Sequence, residues 1–190
     1  MARLHSVRIG PAFESVLAAA QGDSAWAYER LWRAYAAPIA SYLRLQGAYD
    51  PEDLTSEVFL GAFRSLDGFR GNEDQFRSWL FTVAHRRLTD ERRRAGVRPQ
   101  WADNGGEVPD PTGGDVEADV LRQLSEERVV KLCDRLLPAQ RDVLLLRLVA
   151  DLTVEQVADA LGKTTGAVKQ LQRRGLVHVR EILQREGVPL

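Results

Sequence analysis

Five polar side chains near the end of the chain have types and spacing suited to contacting a nucleic acid. They fall on one predicted helix after Gly162, about one helical turn apart. Lysine and arginine pair with phosphates and guanine edges, and glutamine pairs with adenine edges. The candidates are Thr165, Lys169, Gln170, Arg173 and Arg174. This set predicts a DNA-contacting helix.

A second set places aromatic rings beside basic side chains between residues 50 and 94. Single-stranded DNA binds such surfaces, because bases stack on the rings and cations neutralise the phosphates. Some of these aromatics fall on an apolar stripe and are expected in the core: Phe59, Phe63, Trp79 and Phe81. Phe69, Phe76 and Arg77 lie at or beside a loop and are expected to contact DNA.

The composition argues against several other classes of protein. Cys133 is the single cysteine and the three histidines are far apart, so we expect no metal, no cofactor and no enzymatic activity. No apolar run approaches the roughly 20 residues that span a bilayer, and the N-terminus lacks a secretion signal. We therefore expect a cytoplasmic protein with no membrane insertion.

Apolar residues recur at helical spacing almost throughout, which predicts an all-α fold. Asp50 and Pro51 predict a helix start, and Thr153 with Gln156 predicts a capping box at another. Together with the turn at Gly162, the final two helices form a helix-turn-helix, whose second helix lies in a DNA major groove. Its expected core comprises Val154, Val157, Ala158, Leu161, Val168 and Leu171.

Prolines and glycines interrupt the helical pattern from residue 96 to 117. This stretch predicts a flexible linker between two small helical domains, at 12–95 and 118–190, after an N-terminal segment (1–11) expected to lack fixed structure. Charge is distributed unevenly: residues 102–127 hold eight acidic residues against one arginine. Two basic blocks, at 85–98 and 163–185, flank this acidic stretch.

Several motifs together resemble a known family. EDLTSEVFLGAF (52–63), FRG (69–71), FRSWLFTVA (76–84) and RLTD (87–90) resemble the second region of sigma-70 factors, most of all the extracytoplasmic-function (ECF) group. LLLR (144–147) and the helix-turn-helix resemble that group's fourth region. The order and spacing agree across nearly the whole chain outside the linker.

The resemblance implies an initiation subunit of bacterial RNA polymerase. The resemblance assigns binding of the clamp helices of the largest polymerase subunit to Asp53, Glu57 and Leu60. It also implies a second contact with polymerase, at the flap. It places −10 promoter contacts at Phe69, Arg70, Asn72, Phe76, Arg77 and Arg87, within and after a loop that captures a flipped base. The −35 contacts fall on the five residues of the last helix. An anti-sigma factor is the implied regulator, and the acidic linker is expected to imitate a nucleic-acid backbone.

This sequence departs from the family pattern at Arg86, where asparagine is frequent, and at Leu171, where arginine is frequent. Leu171 should turn inward, so the promoter sequence cannot be copied from relatives. The main alternative is a stand-alone helix-turn-helix regulator that binds operator DNA, which predicts a sensor domain or a dimerisation helix. A small helical enzyme requires clustered His and acidic ligands, and a pure interaction module leaves the recognition helix unexplained.

Overall fold

A computed structural model describes residues 8–96 and 126–187. Within these two ranges the secondary structure is entirely helical, which confirms the predicted all-α class. The predicted linker lies outside the described residues from position 97 onward, as do residues 1–7 of the N-terminal segment. We refer to residues 8–96 as the N-terminal domain and to residues 126–187 as the C-terminal domain.

The N-terminal domain contains four α-helices and two short 3-10 helices, at Gly10–Ala12 and Leu66–Gly68. The α-helices are α1 (Phe13–Gln21), α2 (Ala25–Leu45), α3 (Pro51–Arg64) and α4 (Glu73–Arg94). Asp50 caps α3, since its side chain accepts a hydrogen bond from the backbone N–H of Asp53. Pro51 follows as the first helical residue, where its missing N–H has no consequence.

The C-terminal domain also contains four helices in its described part. They are α5 (Glu126–Asp134), α6 (Pro138–Leu148), α7 (Val154–Leu161) and α8 (Thr165–Arg185). Thr153 and Gln156 form the predicted capping box at the start of α7, and Gly162 adopts the left-handed conformation after it, with φ +63°. Thr164 then caps α8 by accepting the N–H of Ala167 at 3.2 Å. These local signals fix the geometry of the helix-turn-helix.

Residues 8–11, the described part of the segment expected to lack fixed structure, are anchored to the N-terminal domain. The backbone N–H groups of Ile9 and Gly10 donate to the two carboxylate oxygens of Glu73, at 2.5 and 2.9 Å. Tyr35 donates to the same carboxylate at 2.8 Å, and Ile9 is buried. A partly buried carboxylate with three donors therefore ties this segment to the first turn of α4.

The two domains pack directly against each other. One continuous cluster of buried apolar side chains includes Leu80 and Leu88 of α4 together with Leu152 and Val157 of the C-terminal domain. A second, smaller cluster, which includes Leu144 and Leu183, belongs to the C-terminal domain alone. α4 and α7 form the main contact between the domains, and α2 adds contacts with α5 and α6. In the described ranges no helix is long and apolar enough to cross a membrane.

Candidate nucleic-acid interface

The first two turns of α8 present three of the predicted DNA contacts to solvent. Thr165, Lys169 and Gln170 are exposed, whereas Val168 is fully buried. Leu171 is partly buried and packs against the core, as the sequence predicted. One edge of α8 therefore packs against the core. The other edge exposes the Lys169 ammonium, the Gln170 amide and the Thr165 hydroxyl to solvent.

Arg173 and Arg174, the remaining two candidates on α8, are only partly exposed. The Nε and Nη2 atoms of Arg173 are buried and have no hydrogen-bond partner within the described part of the chain. A buried guanidinium donor without an acceptor is energetically unfavourable. Of the five predicted contacts on α8, the fully exposed ones are thus Thr165, Lys169 and Gln170.

An acidic residue of α7 lies close to this face. The pKa of the exposed Glu155 carboxyl is lowered first by a hydrogen bond from its own backbone N–H and by Thr153. The positive charges of Lys169 and Arg147 add smaller lowering effects. Glu155 therefore stays ionised and reduces the net positive charge beside Lys169.

The loop between α3 and α4 is organised by two residues that the resemblance assigned to the −10 site. Arg70 is exposed, and its Nη1 atom donates to the carbonyl oxygens of Asp67 and Phe69, both at 2.7 Å. Asn72 caps α4, because its side chain accepts the N–H of Gln75 while the Gln75 side chain accepts the N–H of Asn72. Both residues shape the loop, and their side chains lie at its surface.

Phe76 lies in the core, contrary to the expectation that its ring contacts DNA. The side chain is fully buried, and its ring packs against those of Phe13, Tyr35, Phe69 and Trp79 at centroid distances of 5.4 to 5.6 Å. Phe69 remains partly exposed at the edge of this aromatic cluster. Of the two rings, Phe69 is the one that a base can reach.

Two arginines of α4 have protein partners in this conformation. Arg77 is 4% exposed, and its Nη1 atom lies 3.6 Å from Oδ2 of Asp151 in the C-terminal domain. Arg87 is partly exposed, with its Nη1 atom 3.9 Å from Oε2 of Glu57 on α3. Arg77 is thus covered by the neighbouring domain, which sequence patterning had no means of showing.

Residues assigned to polymerase binding share one face of α3. Asp53 is exposed near the start of the helix, Glu57 is half-buried one turn later, and Leu60 is 57% exposed. Trp32 of α2 was missed by the sequence reasoning and is 39% exposed, with its ring 4.7 Å from that of Phe59 on α3. In the sequence, Trp32 lies outside the apolar stripe of α2, and this position is the signal that could have indicated an exposed ring.

The other residues considered for chemistry are metal-ligating side chains and the single cysteine. Among the described residues, no group of three or more His, Cys, Asp or Glu side chains is arranged to hold a metal ion. Cys133 is buried, and burial raises the pKa of its thiol to about 11. The thiol is therefore protonated at neutral pH.

Comparisons with known proteins support the same reading of both domains. The chain matches Sigma-70 region 2 over residues 27–98 and Sigma-70 region 4 over residues 133–181. It is 32% identical over 133 residues to the ECF RNA polymerase sigma factor SigK of Mycolicibacterium vanbaalenii, covering 70% of this chain and 68% of SigK. It is 33% identical over 161 residues to the ECF RNA polymerase sigma factor BldN of Streptomyces coelicolor, covering 83% of this chain.

The chain spans 60% of the length of BldN. The solved structure of CnrH in complex with the cytosolic domain of CnrY has the same fold, with a TM-score of 0.65 at 22% identity. That likeness covers 92% of this chain and 98% of CnrH.

The fold defines a helical protein with a C-terminal helix-turn-helix. The matches to both regions, and to SigK in particular, then identify its family. The chain belongs to the ECF group of sigma-70 RNA polymerase sigma factors.

Proposed function

We propose that this protein is a non-enzymatic transcription initiation factor, which binds bacterial core RNA polymerase and directs it to promoters carrying −10 and −35 elements. The observation that carries the proposal is the exposed edge of α8, within a chain whose two domains match sigma-70 regions 2 and 4. Lys169 and Gln170 read the −35 element from the major groove, the lysine by charge and the glutamine by hydrogen bonds to a base edge.

The −10 element is bound by the loop before α4 and by the exposed side of α4 itself. Phe69 stacks on an unpaired base, and Arg70 and Asn72 set the shape of the loop around it. Arg87 neutralises the DNA backbone. Phe76 supports this site from the core and does not touch the nucleic acid.

Core polymerase binds the exposed face of α3, to which α2 contributes Trp32. Asp53 and Glu57 supply negative charge, and Leu60 and Trp32 supply exposed apolar surface for the clamp helices of the largest subunit. Interfaces of this kind concentrate their binding energy in a few aromatic and apolar side chains. The C-terminal domain makes the second contact, with the flap.

An anti-sigma factor controls the protein by covering the same α2–α3 face. Exposed Leu60 and Trp32 form the apolar centre that such an inhibitor requires, and competition for one surface excludes polymerase directly. Leu60→Glu is expected to weaken binding of both partners together. Binding of an inhibitor at full affinity by that variant would place its site elsewhere.

The test is transcription from genomic fragments by core polymerase with and without the purified protein, followed by mapping of the RNA 5′ ends. We expect transcripts that depend on the protein and share two upstream sequence elements. Leu60→Glu should weaken binding to core polymerase, whereas Leu137→Glu, which alters an exposed leucine of the other domain, should leave assembly with the clamp intact.

The same experiment separates this proposal from a stand-alone helix-turn-helix regulator. Such a regulator binds a palindromic operator tightly by itself and as a dimer. Tight operator binding together with no affinity for core polymerase would overturn the proposal and support the regulator.

A further inference from the structure

A side chain of α1 holds the beginning of the loop that carries Phe69. Gln21, the last residue of α1, is partly buried, and its Nε2 atom donates to the backbone oxygens of Leu66 and Phe69, both at 2.9 Å. An amide nitrogen has two hydrogens, so it serves both carbonyls at once. One side chain thus joins α1 to residues that lie 45 and 48 positions further along the chain.

The end of the same loop is held by the residues that precede α1. Glu73 is the first residue of α4, and its carboxylate accepts the backbone N–H groups of Ile9 and Gly10. Residues 8–21 therefore contact the loop of residues 66–73 on both sides. Because α1 is a helix packed into the core, it forms a stiff connection between these two contacts.

The bonds from Gln21 differ in kind from those that the loop makes to itself. The Phe69 carbonyl also accepts from Nη1 of Arg70, but Arg70 belongs to the loop and moves with it. Rings on the core side contact Phe69 as well, with centroid distances of 5.4 Å to Phe76 and 5.3 Å to Trp79. The rings support one side of the Phe69 side chain, and Gln21 fixes the position of its backbone relative to the rest of the domain.

A fixed backbone matters at a position where a ring stacks on an unpaired base. A loop that becomes ordered only when it captures the base loses conformational entropy at that moment and binds less tightly. A mobile ring also adapts to different bases, and adaptable surfaces discriminate poorly between ligands. Holding the loop in advance should therefore raise both the affinity for the captured base and the selectivity among bases.

Building on the proposed function, we propose that α1 is part of the −10 site, with Gln21 as a positioning residue that determines how strictly the captured base is selected. Gln21 acts through the backbone of Phe69 and does not itself contact the DNA. The match to Sigma-70 region 2 begins at residue 27, so this residue lies before the matched part of the chain.

The test is initiation by the holoenzyme on a pool of templates in which each position of the −10 element is randomised, with the transcripts sequenced. Gln21→Met keeps the length and the helix propensity of the side chain and removes both donors. We expect output from the best template to fall about three- to tenfold, and the preference at the captured base to fall about threefold or more. Gln184→Met makes the same change at an exposed position near the end of α8 and should keep the parental preference.

The preference ratio separates positioning from a general loss of folded protein. Loss of folded protein lowers output from every template by the same factor and leaves the ratio between bases unchanged. Affinity for core polymerase and the preference at a randomised −35 element are measured on the same preparations, and both should match the parent.

A variant at the other side of the loop tests whether the two contacts act together. Glu73→Gln leaves a single carbonyl oxygen where two carboxylate oxygens accepted the N–H groups of Ile9 and Gly10. This variant should flatten the preference at the same base. Combining it with Gln21→Met should flatten the preference by no more than about twofold beyond the stronger single variant, since both changes release one loop.

A Gln21→Met holoenzyme that keeps the parental base preference at every position of the −10 element would overturn the positioning role, whether or not its output falls. Equal flattening of the −10 and −35 preferences would overturn it too, because α1 would then act on the whole protein. A parent chain that neither binds core polymerase nor initiates would instead refute the proposed function.

Discussion

At the residue scale, exposure separates the side chains of α8 that can reach DNA from those that serve the fold. Lys169 and Gln170 project from the first two turns, where a helix enters a major groove. Arg173, one turn after Lys169, has two guanidinium nitrogens buried against protein. The reading of the −35 element therefore depends most on the exposed pair.

Lys169→Ala is expected to reduce initiation at −35-dependent promoters by about tenfold and to lower the salt dependence of promoter binding by about one counterion. Gln170→Ala should cost about 1–3 kcal/mol at one base pair and relax the preference there. Both are measured by promoter binding of the holoenzyme over a range of salt concentrations. Lys131→Ala, an exposed lysine on α5, is the control. If binding to core polymerase falls instead, the exposed face of α8 contacts polymerase and has been wrongly assigned to DNA.

His85 is a buried titratable residue that links pH to stability. Its Nδ1 atom lies 3.0 Å from the Tyr42 hydroxyl, and burial is the main reason that its pKa is lowered. Asp142 offsets part of this effect, whereas Arg92 and Arg86 add to it. Because the folded state resists protonation, the unfolded state binds more protons below about pH 6.5, and stability falls as the pH is lowered.

We expect His85→Gln to remove the part of the pH dependence of stability that is due to His85. Glutamine still offers a hydrogen-bond partner to Tyr42 but does not titrate. The free energy of unfolding, measured by urea denaturation between pH 5 and 7.5, should then change less steeply with pH than in the parent. The difference is at most about 1.4 kcal/mol per pH unit. An unchanged slope in His85→Gln would contradict a lowered pKa of His85 in the folded protein.

At the element scale, the C-terminal domain depends on the close approach of α8 to α6. Gly175 is buried, and a β-carbon added there would lie 2.8 Å from Cδ1 of Leu144 and 3.3 Å from Cβ of Gln140. Leu144 belongs to the smaller core cluster. The absence of a side chain at this point sets the distance between the two helices.

Gly175→Ala should therefore lower the free energy of unfolding by about 1 kcal/mol, because overpacking outweighs the gain in helix propensity. Gly166→Ala is the matched control on the same helix, since a β-carbon there has no protein atom closer than 4.0 Å. That variant should be neutral or more stable, by up to about 1 kcal/mol. Equal thermal midpoints for the two variants would contradict the close approach of α8 to α6 at Gly175.

The helix boundaries were largely predictable from sequence, because capping is local chemistry. The starts at Asp50 and Thr153 and the left-handed Gly162 depend on residues within four positions of each other. The burial of Phe76 and the pairing of Arg77 with Asp151 depend on residues far apart in sequence. A stripe pattern shows that a side chain is apolar or charged, but it does not show which element will cover it.

The same limit explains the N-terminal segment but not the Asn72 cap. Asn72 and Gln75 have the three-residue spacing of a capping box, so their two hydrogen bonds are local chemistry that the sequence contains. The order of residues 8–11 comes from Glu73, which is more than sixty residues away in the chain. Long-range hydrogen bonds of this kind leave no periodic signal.

At the scale of the whole molecule, the shared core predicts that the two domains support each other's stability. The tryptophans provide a test, because Trp26, Trp32 and Trp79 lie in the N-terminal domain, Trp101 lies between the described ranges, and residues 126–187 contain none. Tryptophan fluorescence therefore does not report directly on the C-terminal domain. A change made there affects the fluorescence transition of the N-terminal domain only through the interface.

Leu183→Ala is suited to this measurement because Leu183 is fully buried in the cluster that belongs to the C-terminal domain alone. The cavity should cost about 2–5 kcal/mol, and we expect the fluorescence midpoint to fall by about 5–15 °C together with the loss of helicity. A parental fluorescence midpoint in Leu183→Ala, with helicity lost in two steps, would show that the interface is too weak to couple the domains.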